Sequence, residues 1–210
     1  MSARDEILHR IQVGLADRPA DPVATWEYGR PLPLDDKLAR FVERCTDYRA
    51  AVDRVPVGDV PATLARRLGE AGVGTVVLPA GLDPAWRAAI AATGVAIRED
   101  DPLTAPQLNE IDAVVTAARV AIAETGTICL DHAPDQGRRA LTLVPDLHLC
   151  VVRADQVVSD VPEAITLLRA SIDAGRPLTW ISGPSATSDI ELQRVEGVHG
   201  PRTLVVILAD

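Results

Sequence analysis

Short aliphatic runs separated by helix-length segments restrict the possible folds of this chain more than any other feature. Thr75-Val76-Val77-Leu78, the run from Ile111 to Thr116, the run from Leu147 to Val152 and the run from Thr203 to Leu208 are strand-like. Helical patterns lie between them, at 61–71, 84–92 and 162–174. Asp83 can cap the second, with Pro84 at its favoured first position, and Asp160 and Gly175 bracket the third. Strands alternating with helices at this spacing predict an α/β fold with parallel strand pairs. Further short strands are expected at 95–97, 127–130, 141–144 and 178–181. Aromatic residues make up only 3% of the chain, so the core must be mostly Ala, Val, Ile and Leu.

The first fifty residues read differently. Ser2 caps an expected amphipathic helix over 3–16, and an extended arm carrying Trp26 and Tyr28 follows to about Pro33. A second helix is expected from Asp35 to about Val52. The organisation expected is a helical extension over 1–52 and an α/β domain over 53–210, within a chain of 210 residues. A net charge of −9 argues against a nucleic-acid footprint or an anionic membrane surface. No apolar run approaches the ~18 residues of a membrane span, and the acidic N-terminus is unlike a secretory signal. Cys45, Cys129 and Cys150 form no C-x-x-C pair, which disfavours metal or cluster ligation and fits a reducing cytoplasm.

Two stretches carry the candidate chemistry. In Ala121–Ile128, Glu124 sits beside Thr125, Gly126 and Thr127, where a glycine permits a tight bend or close approach of a ligand. Glu124 could move a proton or form an acyl intermediate, or it could be held in an ion pair or a turn hydrogen bond. In the second stretch, a strand ends at Ile181 and Ser182, Gly183, Ser185, Thr187 and Ser188 follow. Ser188 with Glu191 fits a capping box, so this loop reads as a helix start able to hold an anion, or as a capped helix alone. Among the histidines, His132 and His148 read as structural, and His199 in its glycine-flanked turn is the candidate for a ligand contact. Arg138-Arg139 could neutralise an anion or form a solvated loop tip. No dinucleotide, P-loop or serine-hydrolase motif is present.

Taken together, Ala121–Leu130, Arg138–Pro145, His148–Val157 and Ser182–Gly200 with the Pro201–Asp210 tail resemble the lactate utilization protein C family, whose shared module is the LUD domain. The resemblance implies a Rossmann-like sheet similar to the NagB/RpiA/CoA-transferase-like fold. It implies a role in oxidising L-lactate to pyruvate, with a cysteine-rich protein and an iron–sulfur protein as partners. The iron–sulfur clusters would then reside in the partners, with no cofactor or metal in this chain and a small anionic metabolite at its cleft. The alternative is a stand-alone CoA-transferase-like or isomerase-type enzyme using Glu124, and a third possibility is a regulatory domain that binds a metabolite without catalysis.

Overall fold

A computed structural model describes residues 2–16, 31–187, 195–196 and 200–210. In chain order its elements begin with α1 (Ala3–Gly14), α2 (Lys37–Asp47), β1 (Ala51–Val55), α3 (Val60–Glu70), β2 (Thr75–Leu78) and α4 (Pro84–Ala92). Next come β3 (Ala96–Glu99), α5 (Ala105–Asn109), β4 (Ala113–Ala117), β5 (Val120–Ile122) and β6 (Thr127–Leu130). The chain closes with β7 (Leu147–Arg153), β8 (Val157–Val158), α6 (Val161–Asp173), β9 (Thr179–Ile181), β10 (Ala186–Thr187), β11 (Val195–Glu196) and β12 (Thr203–Ala209).

Six strands form the central sheet in the order β1-β12-β7-β4-β2-β3, with every pair parallel. The expected α/β class is therefore observed. Period-two alternation divides each strand between two faces. Leu147, Leu149 and Val151 of β7 meet Val60, Leu64 and Leu68 of α3 and Ile90 of α4 on one face. Cys150 and Val152 face the other way, towards Phe41 and Cys45 of α2 and a second, four-stranded sheet of order β8-β5-β6-β9. α6 covers the far side of that second sheet through Ala164 and Leu168.

Several local expectations are corrected. The second helix stops at Asp47 rather than near Val52, because Arg49 takes a left-handed φ of 68° and the chain turns into β1. The boundary at 52/53 thus runs through β1, which pairs with β12, while α2 on its N-terminal side buries Phe41 and Cys45 in the core. The segment expected as a strand at 141–144 is instead a 3-10 turn, Arg139–Thr142. It plugs Leu141 against Val77, Leu108 and Val114 rather than adding a strand. α1 forms as expected, with Ser2 and Asp5 in a reciprocal capping box, but Ile7, Leu8 and Ile11 on its apolar side are exposed. Among the described residues no helix is long and apolar enough to cross a membrane.

Candidate ligand pocket

The turn between β5 and β6 holds the first candidate stretch. Glu124 donates its backbone N–H to Ser159 O, which ties the turn to the end of β8. Its carboxylate points at α2 and lies 3.8 Å from both Arg40 Nε and Arg44 Nη2. The ion pair, one of the readings open to Glu124, is present. The pair is long and its members are a third or more exposed, so it contributes little to stability. Glu124→Gln is accordingly expected to change the unfolding free energy by less than about 1 kcal/mol, as measured by denaturant titration.

Gly126 sits at φ 60° with its backbone against α2, and an added Cβ would fall 2.7 Å from Arg44 Cβ and 2.8 Å from the Arg44 carbonyl carbon. The close approach expected there is to a helix, not to a ligand. Gly183 likewise abuts Tyr48, at the C-terminal end of α2.

Three hydroxyls join the two stretches. Thr125 Oγ1 lies 2.7 Å from Thr127 Oγ1, and Thr127 Oγ1 lies 2.7 Å from Ser182 Oγ. The juxtaposition follows from the antiparallel β6–β9 register, which places Ile128 opposite Ile181. Beyond Ser182 the chain lines a cavity of about 250 Å³ with Gly183 and Ser185. Thr142, Thr179, His148, Leu204 and Gly200 complete much of the wall. Glu124, Thr125, Gly126 and Thr127 are not among the described residues of that wall. Thr187 lies in β10, paired with Val195. The capped helix start at Ser188 and Glu191, together with His199, falls outside the described residues, as do Trp26 and Tyr28.

The cavity opens where β7 and β12 begin, beside the end of β9, since His148 and Leu204 are each the second residue of their strand. The carboxyl ends of β2 and β4, where parallel sheets commonly receive ligands, are instead crossed by the segment after β6. Gly81 donates to Pro134 O at 2.9 Å and Ala117 to Asp135 O at 3.1 Å. A more open hollow of about 430 Å³ at that end carries His132, Arg138 and Arg139. Two of these three side chains, Arg138 and His132, are already engaged. Arg138 grips Asp100 through Nε at 2.6 Å and Nη2 at 2.8 Å, which holds that carboxyl below the usual range. His132 places Nδ1 2.9 Å from Gly137 O and Nε2 2.8 Å from Thr179 Oγ1.

His148 was not singled out by sequence reasoning, because one histidine inside an apolar strand looks like a satisfied core residue. It is only half satisfied. Its side chain is buried, with Nε2 2.8 Å from Thr116 Oγ1 and Nδ1 unpaired among the described residues. Burial pushes the ring's pKa down from 6.5 to about 4, so it stands neutral at physiological pH. All three thiols are buried as well, and burial pushes each up to about 12. Among the described residues no cluster of His, Cys, Asp and Glu is arranged to hold a metal ion.

Comparison with known proteins gives these features a family. The LUD domain model matches residues 38–209. The chain is 46% identical over 206 residues to lactate utilization protein C of Deinococcus radiodurans, covering 98% of this chain and 95% of that relative. Lactate utilization protein C of Bacillus subtilis is 33% identical over 100 residues, covering 46% of this chain and 41% of that relative. A crystal structure of a DUF162 family protein from Deinococcus radiodurans superposes with a TM-score of 0.73 at 44% identity, covering 86% of this chain and all of that one. With the family model spanning residues 38–209, and a relative aligned nearly end to end, the chain belongs to the LUD domain family.

Proposed function

We propose that this chain works in lactate utilisation, as a non-redox component that binds a small carboxylate while iron–sulfur partner proteins carry the electrons. The observation that carries this is the near-full-length similarity to a protein named lactate utilization protein C. Two features of the chain support the division of labour. Its thiols are packed in the core and pushed up to about 12, a poor starting point for iron ligation. Its pocket is lined in part by hydroxyl side chains, groups suited to holding and orienting a small polar molecule. The partners in view are a cysteine-rich protein and an iron–sulfur protein.

The test is reconstitution. Lactate-dependent dye reduction by the two partner proteins is measured with and without this chain, alongside co-purification. The expected result is a higher rate and a stable association. Equal rates with no association would discard the proposal.

A further inference from the structure

Two helices of this chain leave apolar faces uncovered. Every residue of α1 is exposed, although Ile7, Leu8, Ile11 and, at its C-cap, Leu15 form one stripe at helical spacing, each 46–59% exposed. α6 buries the side that carries Ala164, Leu168 and Ser171. Along its flank Val161, Ile165 and Ile172 form a second stripe, each 39–40% exposed.

α1 has 12 residues, and a helix of about that length is marginal in water without a surface to pack on. Its capping box closes the N-terminal end but shelters no apolar side chain. Within one chain the packing surface is not supplied, since every residue of α1 stays exposed.

The segment leading from α1 is fastened at α6. Leu32 N–H donates to Asp160 Oδ2 at 3.0 Å, and Oδ1 of the same carboxylate accepts from Glu163 N at 3.1 Å. Asp160 thus caps α6 and brings exposed Leu32 to the head of the stripe that starts at Val161. Residues 15–31 lie between α1 and this anchor, a length that spans at most about 55 Å. That exceeds the roughly 20 Å of α6, so α1 can pass its own α6 and reach that of a neighbour.

We infer that a second copy of this chain covers these faces: α1 of each protomer packs on the Val161–Ile165–Ile172 stripe of the other. A two-fold axis makes the exchange reciprocal, so each protomer gives one helix and receives one. A single helix pair is small against the roughly 1,000 Å² that a stable interface needs, and the two-fold supplies a second, identical pair. The stripes are of similar length, since Ile7 to Leu15 rises about 12 Å and Val161 to Ile172 about 16 Å. Asp5, Glu6 and His9 fall on the opposite side of α1 and stay in water. The exchange neither needs nor alters the lactate reading.

The experiment is analytical sedimentation of the full chain over a concentration series, with Ile11→Glu, Ile165→Glu and an equal mixture of the two. The wild type is expected to sediment as a dimer. Each variant should weaken dimerisation about a hundredfold or more, because its homodimer buries a carboxylate in both helix pairs. The mixture discriminates. A mixed dimer keeps one intact pair, Ile11 of one copy against Ile165 of the other, so the mixture should dimerise more tightly than either variant alone. Ile11→Cys and Ile165→Cys are a milder pair that reports the same contact. All three native thiols are buried, so oxidation should link the two chains into covalent dimers when they are mixed and should link neither alone. A monomeric wild type overturns the inference, whatever the variants do. So does a dimer that only one glutamate variant weakens, which marks α1 paired with α1 or α6 with α6. A mixture no tighter than its components, or cysteine chains that fail to link when mixed, overturns it as well.

Discussion

Gly126→Ala is expected to destabilise the protein by about 3 kcal/mol or more, a large effect for the addition of one methyl group. Two costs combine. The residue sits at φ 60°, a conformation that alanine adopts only with strain. The new Cβ would also lie 2.8 Å from the Arg44 carbonyl carbon and 2.9 Å from Cys45 N, both backbone atoms of α2. Backbone cannot swing aside as a flexible side chain can, so α2 must lift or the β5–β6 turn must deform. Gly94→Ala separates the two costs. Gly94 has φ 80° but nothing within 4 Å of its would-be Cβ, so it carries strain without collision, at about 1 kcal/mol. Denaturant midpoints of the two variants give the difference directly. Cys45 supplies a local probe, since its thiol is buried with Sγ 3.6 Å from Gly126 O. Faster labelling of Cys45 in Gly126→Ala alone would show α2 leaving the sheet. Equal losses in the two variants would mean that the contact with α2 is not tight.

The same glycine shows where the sequence was legible and where it was not. Strands 75–78 and 127–130 and the helix at 84–92 fall where apolar periodicity, Asp83 and Pro84 put them. Those signals are local. β1 was hidden behind an expected helix because Ala51-Val52-Asp53-Arg54-Val55 has mixed composition, and it is a strand through its pairing with β12, about 150 residues later. β5 was hidden because its residues sit in an alanine-rich stretch, yet it pairs with β6 in a hairpin. α5 carries a legible signal that went unused. Thr104 is followed by Gln107, whose Oε1 accepts from Thr104 N at 2.9 Å. At the site, Ser182, Gly183 and Ser185 were recoverable from a strand end followed by Gly-Pro, and they line the cavity. Glu124 and Gly126 were visible as unusual residues, but their partners are on α2, some eighty residues earlier in the chain. No local pattern encodes that contact. His148 looked like a core residue, and its burial agrees. Only the register of β4 against β7, which brings Thr116 within reach of the ring, exposes the unpaired nitrogen.

The buried ring also sets an expected pH dependence. In the unfolded chain His148 takes up a proton near its ordinary value of 6.5, whereas in the fold it resists until about 4. Between these values the unfolded state binds more protons, so stability falls as pH falls. The contribution is fully present above 6.5 and is lost progressively towards 4, and the gap amounts to about 3 kcal/mol. Other titrating groups act differently. Asp53 and Asp100 are held below the ordinary carboxylate range, chiefly by hydrogen bonds from Arg67 and Arg138, so their contributions fade only at more acid pH. Asp135 is raised, chiefly by burial, and its earlier proton uptake in the folded state opposes the His148 trend in part. Denaturant midpoints taken from about pH 7.5 to about pH 4.5 should therefore decline in the wild type and flatten in His148→Gln. An unchanged slope in the variant would locate the dependence elsewhere.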